Sequence, residues 1–488
     1  MITQNDEAAA TELQSRYRPR TLRDAWMALA GLSAVFLFEM LDNSILNVAL
    51  PTIGHDLHAS TTGLQWVTSS YSIVFGSLML VFGAVADRFG RRRIMLIGLA
   101  LLGVASLATL FVSTEGQLIA VRSVMGAAAA MTTPGSMALA FRLFDTDRLR
   151  VRAITLISTV GLVGLAIGPT VGGLVLAFAP WQVLLLVNVP IAALAIVGIR
   201  LGIAADAAAD LHRDPIDVLG AALGTATIVF ALVAPTLFVE SGVASWEPWA
   251  ATAAAVAGLI LFVLRQRSAR YPLLDLKLVA HPLVSSGLAF KAAAGLATAG
   301  LGYLVTLQLQ LQWGWPPALA SIGMLPQVAV LIAGGAFVDP FVRWIGLVRA
   351  AWLSAIAVVA GLAIYSLFNG FGYVWIAVAL ALVAAGLRVV GVVAATNVLS
   401  GLPENRTTIG AALSDTATEV ANGVGIAAAG TILAALFAGS ITASNWSHVQ
   451  ATQFQSGVST AGFVLTVLAA ALVAWGIART RPAAAERG

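Results

Sequence analysis

Apolar residues run almost unbroken along this chain, in stretches of about 19 to 30 positions parted by short polar or glycine-bearing segments. A helix rises about 1.5 Å per residue, so each stretch matches the roughly 30 Å of hydrocarbon in a bilayer. Barrel strands would alternate apolar and polar over about ten residues, and that alternation is missing. Backbone inside lipid must satisfy its own hydrogen bonds, so the stretches predict helices. Fourteen spans are expected, at about 25–50, 63–83, 93–113, 117–141, 153–178, 181–203, 216–238, 247–265, 282–311, 317–339, 346–368, 371–398, 407–436 and 456–478. The polar, arginine-containing first 24 residues read as a tail and not as a signal peptide, because no short apolar core with a small-residue cleavage site follows them. The fold class is that of an all-α integral membrane protein.

Charge adds an orientation. Of 27 Lys and Arg, three lie well inside spans: Arg122, Lys291 and Arg388. The others fall in the tails, in loops after even-numbered spans, or at span ends bordering those loops, as with Arg142, Arg148, Arg150 and Arg152, or Arg265, Arg267, Arg270 and Lys277. Positive charge is retained in the cytoplasm, so an even number of spans with both termini inside is expected. With 59% hydrophobic and 10% charged residues, the basic balance is a topology signal and not a sign of nucleic-acid binding. The absence of cysteine excludes disulfides and thiolate metal sites. Neither lysine follows a glycine, so no phosphate loop exists for ATP to drive the chain. His55, Asp56 and His58 in the first outer loop allow a metal site but read first as solvated loop. The sequon at Asn445 reads as chance.

The chain also contains a repeat. GAVAD at 83–87 recurs as GAFVD at 335–339, each closing an even-numbered span, the first followed by Arg88 and Gly90, the second by Arg343 and Gly346. Two halves with the same span direction suggest a parallel repeat about an axis along the membrane normal. Residues 1–24 then form a cytoplasmic tail, 25–203 the first bundle (spans 1 to 6) and 204–275 a linker and two-helix insert. Residues 276–480 form the second bundle (spans 9 to 14) and 481–488 a second tail. The Asp206–Asp217 stretch, with Pro215, reads as the linker into the insert. Segment 83–93 concentrates five charges in eleven residues. Gly83 and Gly90 would allow close approach and a tight turn. Arg88 and Arg91 would anchor the loop, and Asp87 could pair with an arginine or cap a neighbouring helix. A bare anchor would need no aspartate.

Ionisable residues inside the membrane cost about 2.5–3.5 kcal/mol each on insertion scales and mark functional sites by default. Glu39 and Asp42 share a face of span 1. A carboxylate in low dielectric is held less firmly in its charged form, so Asp42 can exchange a proton; the bland alternative is a hydrogen bond to a polar neighbour. Asp415 and Glu419 are one turn apart on span 13, where joint ionisation is unfavourable. Lys291 or Arg388 could neutralise one of them. Trp66, Tyr71, Gln65, Tyr303, Gln308, Gln310 and Met324 could line a central cavity for large apolar cations, although helix or lipid packing is the commoner fate. Gly164, Gly168, Gly172 and Gly173 leave a bare helix face for close packing, and Pro169 invites a bend.

Several of these motifs are recognisable. Gly83-x-x-x-Asp87-Arg88-x-Gly90-Arg91-Arg92 resembles the loop 2–3 signature of the major facilitator superfamily. Leu41-Asp42 through Pro51, Arg122 with Gly126, Gly164 through Gly173, Asn188-Val189-Pro190 and Glu419 through Gly425 resemble motifs of its fourteen-span drug:proton antiporters. The resemblance implies 14 transmembrane helices, as two six-helix bundles with a two-helix insert in the cytoplasmic (inner) membrane. It implies proton-coupled export of lipophilic, cationic drugs or antiseptics by alternating access, with no cofactor and no enzymatic activity. The partners expected are the lipid bilayer, protons and small substrates, for a monomer. Asp42, Arg122 and Glu39 would couple protons, Arg122 holding or releasing the proton on Asp42. Glu419 and Asp415 would meet substrate, and the fifth-span glycines would tighten the outer half and limit leak. Departures concern the substrate: Gln182 and Val183 replace Arg-Trp, and Glu39, Lys291 and Arg388 are additional charges. A dedicated exporter of one natural-product antibiotic, not necessarily cationic, is the alternative. A membrane enzyme would need a nucleophile or metal cluster near a span end, and a scaffold has no use for paired buried carboxylates.

Overall fold

A computed structural model describes residues 21–144, 146–206, 215–242, 244–274, 276–400, 407–438, 441 and 446–485. The first tail up to residue 20, most of the linker (207–214), Asn445 of the sequon and the last three residues lie outside the described residues, as do the side chains of Arg142, Arg148 and Asp339.

The described chain is a succession of helices. They are α1 (Trp26–Asp56), α2 (Thr61–Phe89), α3 (Arg91–Ala108), α4 (Glu115–Arg142), α5 (Asp147–Leu176), α6 (Gln182–Leu186), α7 (Asn188–Gly202), α8 (Val218–Glu240) and α9 (Trp246–Ser268). There follow α10 (Pro282–Leu307), α11 (Pro317–Gly323), α12 (Leu325–Ala333), α13 (Gly335–Ile345), α14 (Leu347–Phe368), α15 (Tyr373–Ser400), α16 (Thr407–Leu436) and α17 (His448–Ala485). Every one of the expected stretches is helical. Among the described residues, nine helices are long and apolar enough to cross a membrane, or eleven if two bent pairs each count as one span. Local sequence accounts for part of the difference from the fourteen expected. Breaks at Met324 and Gly334 cut the 317–345 stretch into three pieces. In α4, Arg122 and the run from Thr132 to Ser136 lower the hydropathy.

Ends and bends follow local chemistry. Ser60 Oγ accepts from Gly63 N at 2.9 Å and Thr114 Oγ1 from Gln117 N at 3.3 Å, the side-chain caps these residues favour. α5 bends by 41° between Leu165 and Ile167. Leu165 is four residues before Pro169, where a proline ring displaces the helical carbonyl. The repeat appears in the backbone more clearly than in the sequence. Gly90 (φ 106°) ends α2 and begins α3, and Gly346 (φ 83°) does the same between α13 and α14. Both conformations belong to glycine.

Packing divides most helices into two groups. In the first, α1 packs on α5 and α7, α4 on α2 and α3, and α3 on α7. In the second, α10 packs on α15, α16 and α17, and α14 on α15 and α17. The groups meet along α2 with α16, and along α5 with α11 and α12. α8 and α9 pair with each other, and α8 touches α2 and α16 at one meeting line.

Candidate functional site

Between the two groups lies a cavity of about 600 Å³. Its wall includes Glu39, Ser44 and Asn47 of α1, Arg122 of α4, Lys291 of α10, Arg388 of α15, and Asp415, Glu419 and Asn422 of α16. Apolar side chains such as Phe36, Met40, Leu165, Met324 and Leu387 fill much of the rest.

At the edge of the cavity Arg122 Nη1 donates to Asp42 Oδ2 at 2.5 Å, with both side chains at most 1% exposed. Asn188 Nδ2 donates to Asp42 Oδ1 at 3.1 Å, so both carboxylate oxygens are engaged. The guanidinium lies over the Tyr71 ring, 4.5 Å from its centroid, a cation–π contact. Glu39 Oε2 accepts from Thr133 Oγ1 at 2.8 Å. The two acids of α1 thus both find partners on α4, yet only Glu39 lines the cavity.

On the opposite wall, Lys291 Nζ lies 3.9 Å from Asp415 Oδ1, the neutralising pair expected for one of the span-13 acids. Glu419 Oε1 accepts from Asn422 Nδ2 at 3.0 Å. Its Oε2 is buried and outside hydrogen-bonding geometry with any described group, although the Ser72 hydroxyl of α2 is near.

Several candidates fall elsewhere. Trp66 packs with Ile73, Leu232 and Ala427, facing α8 and not the cavity. Gln65 Nε2 donates to Thr431 at 3.1 Å. Tyr303 is wholly buried in the core, and Gln308 accepts from the Tyr365 hydroxyl at 2.9 Å. Gln310 Nε2 donates to Val48 O at 2.8 Å, tying α1 to the turn after α10. Met324 does line the cavity. Asp56 Oδ2 accepts from Trp181 Nε1 at 2.7 Å.

The charged loop is also re-assigned in part. Arg91 Nε donates to Asp87 Oδ1 at 2.7 Å, one turn apart across Gly90. The cap on the positive end of α3 is Asp206, whose Oδ2 accepts from Arg92 N at 3.1 Å. A Cβ at Gly90 would stand 2.6 Å from that oxygen, so this glycine serves both the turn and the cap. Gly83 is not tightly packed: a Cβ there would meet nothing nearer than Pro134, at 3.9 Å. Arg88 lies 5.8 Å from the Phe89 ring centroid.

The α5 glycines serve two contacts. Gly164, Gly168 and Gly172 face Leu37, Ser44 and Ile45 of α1, within their own group. Gly173 alone faces the other group, where a Cβ would come within 2.5 Å of Pro317 O.

Asn188, Thr133, Asn422 and Asp206 complete the site, and the sequence marks none of them as a partner. Asn188 carries a signal through its motif with Pro190; Asp206 reads only as the start of a linker.

The Major Facilitator Superfamily profile matches residues 32–426. The chain is 31% identical to the multidrug efflux pump LfrA of Mycolicibacterium smegmatis, over 86% of this chain and 82% of that protein. It is 29% identical to the methyl viologen resistance protein SmvA of Salmonella typhimurium, over 85% and 84%. Identity to the cephamycin export protein CmcT of Amycolatopsis lactamdurans is 33%, over 65% of each. Among solved structures, a point mutant of the nucleoside transporter NupG superposes with a TM-score of 0.61 at 13% identity, over 93% of this chain and 100% of that one.

Proposed function

This chain belongs to the major facilitator superfamily, and on that premise we propose that it exports drugs across the cytoplasmic membrane in exchange for protons. It is a multi-pass transporter and not an enzyme. The observation that carries the proton coupling is the buried Asp42–Arg122 pair at the edge of the cavity, completed by Asn188. A proton arriving on Asp42 cancels the charge that holds Arg122. Arg122 then keeps only the Tyr71 ring and a 3.8 Å contact to Met125 sulfur, and the packing of α1 against α4 has a second arrangement available.

The architecture proposed is fourteen spans with both termini in the cytoplasm, bundles at 25–203 and 276–480, and an insert at 204–275. The two packing groups and the repeated glycine joints at Gly90 and Gly346 support it. In that orientation the Gln310–Val48 bond and the Gly173–Pro317 seam lie at the outer end and close the two groups together there. The acids Glu419 and Glu39 support a cationic substrate, whereas Asp415 is paired with Lys291. Arg388 in the same wall favours the second reading, a dedicated exporter of one antibiotic that is not simply cationic.

The deciding experiment is drug-dependent proton release from inverted vesicles. Wild-type protein should release protons on addition of substrate, and Asp42→Asn should not. Transport that persists undiminished in Asp42→Asn, or without a proton gradient, would overturn the coupling.

A further inference from the structure

Two charged side chains in the cavity wall each keep a buried atom without a hydrogen bond among the described residues. Arg388 lies against the bare backbone at Gly335, where a Cβ would overlap its Nη2. Its Nε is buried with no hydrogen-bond partner among the described residues. Asp415, an acid of the same wall, is already taken by Lys291. Glu419 is the acidic counterpart of Arg388, one oxygen bonded to Asn422 and the other, Oε2, buried with only the Ser72 hydroxyl near and no hydrogen bond in good geometry. A guanidinium with an unpaired N–H suits a planar carboxylate, and a carboxylate with an unpaired oxygen suits an ammonium or iminium, each reached by a small side-chain shift on binding. Each is costly to leave unpaired once water is excluded.

We infer that the cavity recognises amphoteric compounds, with Arg388 taking the acidic group and Glu419 the basic one around an apolar body. A purely cationic ligand would answer Glu419 and leave Arg388 facing a like charge; a purely anionic one would do the reverse. The volume of about 600 Å³ fits a drug-sized molecule. The glycines beneath Arg388 explain how so large a side chain is seated in the wall without filling the cavity. This inference rests on the exporter reading for its biological sense, but it is a statement about binding.

The test uses purified full-length protein in nanodiscs and two dyes read by fluorescence polarisation. Rhodamine 110 and rhodamine 123 share a cationic xanthylium body, and differ in a free carboxylate on the first and a methyl ester on the second. Wild-type protein should bind rhodamine 110 about tenfold tighter, the worth of one charge-assisted hydrogen-bonded contact. Arg388→Gln should erase that preference by weakening rhodamine 110 while sparing rhodamine 123. Arg388→Lys should keep part of it, and Glu419→Gln should weaken both dyes. Equal affinities in the wild type, preference for the ester, binding of neither dye, or an Arg388→Gln loss shared by both would overturn the inference. Should Arg388→Gln fail to fold, the wild-type preference decides alone. Binding needs no proton gradient, so failure of proton-driven efflux would sink the exporter reading and leave this preference standing. Gradient-driven efflux of rhodamine 123 without any preference would do the opposite.

Discussion

Arg122 and Asp42 meet at 2.5 Å with neither side chain open to solvent, and Asn188 occupies the carboxylate oxygen that Arg122 leaves free. Removing one partner of such a pair outright strands a buried charge, at a cost of about 3–5 kcal/mol. Protonation breaks it more gently, since the carboxyl keeps its shape and its bond to Asn188. On the proposed mechanism Asp42 takes the proton and Glu419, half-bonded in the cavity wall, the ligand.

Asp42→Asn should then abolish proton-coupled export of every compound, because no proton can be exchanged there. Drug affinity should persist in that variant and vary less with pH than in the wild type. Glu419→Gln should weaken compounds with a basic group, divalent cations most, and spare neutral ones. Vesicle transport and equilibrium binding across a pH series separate the two. If both substitutions gave the same loss across all substrates, the carboxylates would be one coupled site.

The loop makes a different prediction. The Asp87–Arg91 pair is partly exposed, so it contributes at most about 1 kcal/mol to stability. Asp87→Asn should leave membrane insertion and thermal unfolding nearly unchanged while slowing transport. Asp206→Asn should lower stability by about 1 kcal/mol through a weakened cap, and Gly90→Ala by more, since its φ of 106° and the Asp206 carboxylate both oppose a side chain. Unchanged export by well-inserted Asp87→Asn protein would leave that aspartate no role in gating.

Much of this was legible in the sequence. Helix positions followed from apolar runs, because a bilayer leaves the backbone no other choice, and the ionisable residues stood out against so apolar a background. Direction was not legible. A membrane helix is apolar all round, so no period says which face meets a neighbour. Trp66 and Tyr71 are similar aromatic residues five positions apart, yet one faces α8 and the other lies beneath Arg122. Gly83 and Gly90 look alike in the motif, but only Gly90 has a positive φ and a carboxylate against it. The Asp42–Asn188 bond joins residues 146 positions apart, beyond any local pattern.

Closure of the seam at Gly173 can be tested directly because the chain has no cysteine. Ser321→Cys places a thiol against Gly173, in the seam proposed to lie at the outer end. A membrane-impermeant maleimide added outside should label it slowly, and faster when a substrate gradient drives outward opening. Gly173→Leu in the same background should hold the seam apart and give fast labelling with little transport. Slow labelling of that double variant would mean the α5–α11 contact is not part of the gate.

The last prediction concerns how much energy each cycle can use. Exchange of one proton for one monovalent cation moves no net charge, so only the pH gradient drives it, worth about 1.4 kcal/mol per pH unit. A second proton adds the membrane potential, worth about 2.3 kcal/mol per elementary charge per 100 mV. Two buried acids on α1 are placed for such a pair, Asp42 against Arg122 and Glu39 against Thr133. Because Glu39 lines the cavity while Asp42 does not, we expect the two to load in sequence through the cavity. We expect more than one proton per monovalent cation, and so transport that responds to potential at zero pH gradient. Valinomycin and potassium set that potential in vesicles, and rhodamine 123 reports the flux. Glu39→Gln should then retain pH-driven transport and lose the response to potential. Wild-type flux indifferent to potential would fix the stoichiometry at one proton and leave Glu39 a structural partner of Thr133.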